Sequence, residues 1–198
     1  MRILAGEYKG RNLLPPPASS DTRPMTAAAK KSLFDILAGR LIDAAVADLY
    51  CGTGTLGLEA MSRGARRCYF ADRDRLVLSR LRRNIETLGL FPRCVVWCGD
   101  VPVSLAGWLE GLDCAIDVAF VDPPFSQVRQ SPWQQAADRI FVPLSAHLSA
   151  DGVVVLRLPS ELRVSGDFGP LALQRTRQYG GMKVLLLGRR GRADGGAG

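Results

Sequence analysis

Four consecutive residues carry the clearest chemistry in this chain: Asp122-Pro123-Pro124-Phe125. They follow an apolar run, residues 116–121, that reads as a buried parallel strand. Neither proline donates a backbone hydrogen bond, so the strand ladder stops there. Stiff carbonyls are left at the strand end, with a carboxylate on one side and an aromatic ring on the other. Such a set suits a planar base bearing an exocyclic amino group. Asp122 and a proline carbonyl accept the amine hydrogens, and Phe125 stacks on the ring. The competing role is a strand-ending turn with a capping Asp.

A second constellation runs from Asp48 to Gly57, DLYCGTGTLG. Gly52, Gly54 and Gly57 fit G-x-G-x-x-G, in which missing Cβ atoms permit a tight turn and close approach of a ligand. The pattern alone suits a dinucleotide as well as S-adenosylmethionine. Two acids shift the balance. Asp48 lies four residues before the first glycine, where it meets the cationic amino group of a methionine moiety and repels a pyrophosphate. Asp72 closes the next strand, where an acid takes ribose hydroxyls; a helix N-cap before Arg75 is its other role. Asp100 follows a third strand and is placed to accept an adenine amino group, or to cap the helix at Pro102. The candidate cofactor residues in the turn are thus Asp48, Cys51, Gly52, Thr53 and Gly54. Those at the next two strand ends are Asp72 with Arg73, and Asp100 with Val101.

The elements that must position these groups alternate along the chain. Helices are expected over residues 26–37, 58–63, 75–88, 102–110 and 132–148, with Gly64 and Gly89 as stops. Strands are expected over 44–49, 68–71, 94–98, 116–121 and 152–158, then a closing antiparallel pair at 171–178 and 183–187. This alternation predicts an α/β fold, a doubly wound, mostly parallel sheet with a C-terminal antiparallel pair. Ligands of such sheets bind beyond the carboxyl ends of the strands. Asp48, Asp72, Asp100 and Asp122 all fall at such ends, and their convergence says more than any one motif.

With 198 residues and 47% hydrophobic content, the chain suits one compact domain with a substantial core. The formal charge of +7 favours a polyanionic partner. No apolar run reaches the length of a membrane span, and the N-terminus lacks a signal-peptide apolar region, so a cytoplasmic location is expected. Five cysteines form no C-x-x-C pair and read as reduced thiols. With His147 as the single histidine, no metal site is expected. Arg2, Lys9, Arg11 and Arg23 make the first 25 residues basic, and Tyr8 among them either stacks on a nucleotide or packs as a hairpin aromatic. The arginines of 73–83 read as a solvated helix face, and the basic, glycine-rich residues 189–198 as a disordered tail.

The segment Met1-Arg2-Ile3-Leu4-Ala5-Gly6-Glu7-Tyr8-Lys9-Gly10-Arg11 resembles the N-terminal signature of RsmD-type 16S rRNA guanine-N2 methyltransferases. Thr22-Arg23-Pro24, Ser32-Leu33-Phe34-Asp35-Ile36-Leu37, the 48–65 block, Asp122 to Phe125 and Arg177-Gln178-Tyr179-Gly180 resemble its further motifs, in order over residues 1–188. The resemblance implies a Rossmann-like class I methyltransferase fold that takes S-adenosyl-L-methionine. It implies methyl transfer to the N2 amine of a guanine in 16S rRNA, within an assembling 30S subunit. It also implies a basic, RNA-facing extension at 1–25, with Arg2, Tyr8, Lys9, Arg11 and Arg23, on a methyltransferase domain at 26–188. A monomer is expected. The chain departs from the family at Met25-Thr26-Ala27-Ala28-Ala29-Lys30-Lys31-Ser32, where a second threonine, an acid and arginines are usual. Asp72 replaces a common glutamate, and Gly181-Met182 a more polar pair. Adenine-N6 methylation of DNA or RNA stays open, because the tetrad reads an amino group rather than one base. So does a non-catalytic role in ribosome assembly.

Overall fold

The computed structural model describes residues 1–17, 25–129, 133–163 and 168–190, the side chains of 133 and 134 excepted. Its frame is a seven-stranded sheet built from β1 (Ala45–Leu49), β2 (Arg67–Asp72), β3 (Cys94–Cys98), β4 (Ile116–Val121), β5 (Leu148–Pro159), β6 (Leu171–Tyr179) and β7 (Met182–Arg189). The strand order is β3-β2-β1-β4-β5-β7-β6. Strands β3 to β5 pair in parallel, and β7 pairs antiparallel with both β5 and β6. The sequence expectation of a doubly wound sheet with a closing antiparallel pair holds.

Central strands β1 and β4 are covered on both faces, which is why they read as near-continuous apolar runs. On one face, α1 (Ala27–Leu37), α2 (Gly57–Ser62) and α3 (Arg75–Thr87) pack through Leu33, Phe34, Met61, Leu78 and Leu81 onto Val46, Phe70 and Phe120. On the other, α4 (Val101–Glu110), α5 (Phe125–Arg129) and α6 (Trp133–His147) pack through Leu105, Val128, Ile140 and Leu144 onto Ala47, Ala119 and Val154. The arginines of α3 point away from this packing, as its apolar stripe at 77, 78, 81 and 85 requires. No described helix is long and apolar enough to cross a membrane.

Several element ends shift by one or two residues from expectation, and two departures are larger. Strand β5 starts at Leu148, which pairs with Ile116 before an irregularity in the β4 pairing; the polar stretch Ser149–Gly152 hid this start. Helix α5 has five residues, too few to leave a periodic signal.

The first residues fold back as a small hairpin. Ile3 N–H donates to Arg11 O, Gly10 N–H to Ile3 O and Leu13 N–H to Met1 O. Glu59 of α2, fully buried, fastens the hairpin by accepting the N–H groups of Leu4 and Ala5. The same carboxylate takes Lys30 Nζ and Arg63 Nε, each at 2.9 Å. Burial pushes its pKa up, but the Leu4 amide and the two cations outweigh this and hold it below the ordinary value.

Candidate active site

The order reversal in the sheet falls between β1 and β4, because the chain winds outward to β3 and then returns. In doubly wound sheets this crevice takes the ligand. Leu49 and Val121 are register partners, and Asp122 N–H donates to Leu49 O at 3.3 Å. The glycine turn and the Asp-Pro-Pro-Phe tetrad therefore leave the sheet side by side.

The turn is shaped by backbone that only small residues adopt easily. Gly52 has φ +55° and Gly54 φ +82°, and Tyr50 is held at φ +62°. A Cβ on Gly52 would meet open space, so the backbone there faces a void rather than packing. Gly57 answers to packing: an added Cβ would lie 2.3 Å from Phe70 Cε1. Cys51 N–H donates to Ala71 O, and burial pushes its thiol well up, which leaves it a poor nucleophile. Thr53 is buried, and its carbonyl accepts Asn84 Nδ2.

Asp48 is 1% exposed, and its Oδ2 accepts Gly57 N–H at 2.8 Å. Burial pushes its pKa well up; the Gly57 bond opposes this, and the charges of Asp122 and Asp72 add to it. Asp72 sits at the end of β2. Its Oδ2 accepts Gly52 N–H at 2.9 Å and its Oδ1 accepts Asp74 N–H at 3.0 Å. The N-cap of α3 is Asp74, not Asp72, since Asp74 accepts from Leu76 and Val77. Asp100 occupies the N-cap position of α4, yet its side chain makes no capping bond, and Val101 beside it is buried. Arg73 is exposed.

At the end of β4 the tetrad holds more than the sequence showed. Asp122 Oδ1 accepts Arg157 Nε at 2.5 Å. Burial raises the Asp122 pKa, while the charge and hydrogen bond of Arg157 oppose the rise. The Arg157 guanidinium carbon lies 5.2 Å from the Phe125 ring centroid, and that of Arg129 lies 5.8 Å from it. Arg129 in turn pairs with Glu161. Sequence reasoning missed Arg157, although a lone cation inside the apolar run 153–158 was the available signal. It also missed Tyr50, whose buried hydroxyl has no hydrogen-bond partner among the described residues, and Asn84. Asn84 ties Thr53 to the N-terminal segment by accepting Leu14 N–H at 2.8 Å.

Arg2, Lys9 and Arg11 are exposed on the hairpin. Tyr8 packs against the core, donates its N–H to Ser62 Oγ and accepts Arg93 Nη2 at 3.3 Å. Arg23 lies outside the described residues, as do 191–198 of the tail. Among the described residues, no group of three or more His, Cys, Asp or Glu could hold a metal ion.

This sheet order, with a glycine turn after β1 and an acid-Pro-Pro-aromatic step after β4, defines a Rossmann-like methyltransferase fold. The protein yhhF of Escherichia coli superposes with a TM-score of 0.77 at 27% identity, covering 96% of this chain and 98% of that one. Residues 1–188 match the family model described as Conserved hypothetical protein 95, and the chain belongs to that family, the RsmD family. YlbH of Bacillus subtilis is 29% identical over 191 residues, 96% of this chain and 100% of YlbH. Ribosomal RNA small subunit methyltransferase D of Escherichia coli is 36% identical over 125 residues. That match spans 63% of this chain and 60% of the relative.

Proposed function

We propose that this protein transfers a methyl group from S-adenosyl-L-methionine to the N2 amine of a guanine in 16S rRNA, in an assembling 30S particle. The observation that carries the reading is the adjacency of Asp122-Pro123-Pro124-Phe125 to the glycine turn at the switch point. Relatives named as small-subunit rRNA methyltransferases supply the substrate class.

The residues present fit the cofactor. Asp122 and Asp72 sit close enough to Asp48 that their charges raise its proton affinity. Such a cluster welcomes a ligand with cationic amino and sulfonium groups and disfavours a pyrophosphate. Asp48 and the Gly52–Gly54 turn would hold the methionine end, Asp72 with Arg73 the ribose, and Asp100 with Val101 the adenine. When bound, the cofactor supplies an electrophilic methyl group.

The chain's own residues then position the acceptor. Asp122 and the Pro123 carbonyl accept the two N2 hydrogens, which turns the lone pair toward the methyl. As the new N–C bond forms and the C–S bond breaks, Asp122 offsets the charge on nitrogen. The proton leaves to Asp122 or to water. Phe125 supports a base that has left its stack. The exposed hairpin residues Arg2, Lys9 and Arg11, beside the half-buried Tyr8, would face the RNA, and the sequence motif assigns Arg23 the same role.

The test is tritiated methyl transfer to small-subunit particles lacking their own modification, with nucleoside analysis. N2-methylguanosine is expected. N6-methyladenosine would move the chain to adenine, and cofactor binding without transfer to particles, rRNA or DNA would favour an assembly role.

A further inference from the structure

We propose that Arg157 is a positioning residue for the tetrad, holding Asp122 ionised and fixed in orientation and tying it to the Phe125 ring. The inference rests on the reading of Asp122 as the group that meets the amine.

Strand β5 alternates Val153 and Val155 into the cluster beneath α1, and Arg157 continues that face. Leu156 is the register partner of Val121, so Arg157 lies one step further along, level with Asp122. A cation placed there has a specific partner rather than solvent. The pair is mostly buried, with side-chain exposures of 13% for Arg157 and 19% for Asp122.

Arg157 spends two different surfaces on the tetrad. Its Nε edge takes Asp122 Oδ1, and its guanidinium lies near the Phe125 ring. A guanidinium can do both because it is planar, with donors along its edge and an open face. With Oδ1 engaged, Oδ2 is the oxygen that meets an amine. A carboxylate able to swing would present either oxygen, and the lone pair of the amine would lose its direction.

The charge balance points the same way. The charged groups facing Asp122 are Arg157 from β5 and Asp48 from β1, with Arg129 of α5 across the Phe125 ring. Behind Asp48 stand Asp72 of β2 and Lys30 of α1. Burial favours a protonated Asp122, which would be a weaker acceptor for the amine and could not take its proton. Arg157 is the directly paired cation that opposes the effect of burial.

The experiment compares wild type with R157Q and R157K. Single-turnover methyl transfer is followed against pH at saturating cofactor, and the Asp122 carboxyl carbon is titrated by 13C NMR, assigned by its loss in D122N. In R157Q the rate at neutral pH should fall about 100-fold, the scale of lost general acid–base help. Its acid limb should move up by about one pH unit or more, as expected when an opposite charge is removed from a carboxylate. The 13C transition should move with it, while cofactor affinity stays near wild type. R157K should restore the position of the limb but not the full rate, since an ammonium lacks the planar fork. An Asp122 transition unchanged in R157Q would overturn the proposal, as would a rate loss uniform across pH. If wild type itself transfers no methyl group, the functional reading fails, and the titration still decides the role of Arg157.

Discussion

Asp48 Oδ2 accepts the backbone N–H of Gly57 at 2.8 Å, which ties the end of β1 to the first turn of α2. One carboxylate therefore closes the glycine turn and also lends it charge. The two duties separate by mutation. In Asp48→Asn the amide oxygen still accepts from Gly57, and a buried charge is gone. The melting temperature should hold or rise. Cofactor affinity should fall about tenfold or more, or about 1.4 kcal/mol and upward, by calorimetry. Loss of folding in this variant would contradict the assignment.

Asp48 also makes binding depend on pH. Its pKa is pushed up by burial and by the charges of Asp122 and Asp72. The folded state therefore gains stability from the proton, fully below the unfolded value of about 3.9, and loses it as pH rises through the folded value. A cationic ligand reverses this by favouring the charged form. Cofactor affinity should climb with pH up to the free-state pKa of Asp48 and flatten above it. Calorimetry in buffers of different ionisation enthalpy should show proton release on binding, and none in Asp48→Asn.

Asp122→Ala should separate chemistry from binding. The Asp122 charge is paired with Arg157 and its field at the glycine turn is partly offset, so cofactor affinity should stay within a few fold. Methyl transfer should drop by about two to four orders of magnitude. Turnover near the wild-type rate would remove Asp122 from the mechanism.

Glu59→Ala would strand Lys30, 6% exposed, without its carboxylate and release the amides of Leu4 and Ala5. Breaking a buried pair in this way costs about 3–5 kcal/mol. Chemical denaturation should show that loss, with early proteolytic cleavage in the hairpin. Because the Glu59 pKa is held down, its contribution is present above the unfolded value of about 4.3 and disappears as pH falls through the folded one.

Charge reversal at Arg2, Lys9 and Arg11 tests the RNA-facing hairpin. All three are exposed on the hairpin, so cofactor affinity and melting temperature should not change. KM for RNA should rise, and the salt dependence of binding should flatten by about 0.7 per lost phosphate contact to a single strand. An unchanged salt slope would move the RNA surface elsewhere.

The amino-acid sequence by itself carried the strand–helix alternation, because buried parallel strands and amphipathic helices differ in period and length. Strands β3 and β4 fall on their expected residues, and α3 differs by a single residue at its end. The glycine turn, the acids at the strand ends and the tetrad were legible because their spacing is local. What the sequence could not show was pairing across the sheet. Arg157 reads as an oddity in an apolar run until the β4–β5 register sets it level with Asp122. Asp72 reads either as a ribose acid or as the cap of α3, and only the fold gives the cap to Asp74 and turns Asp72 to the Gly52 amide. Nothing along the helix marks Glu59 as buried, and its role is set by the hairpin that folds over it. Local spacing is written along the chain, whereas contacts between residues tens of positions apart exist only once the sheet has closed.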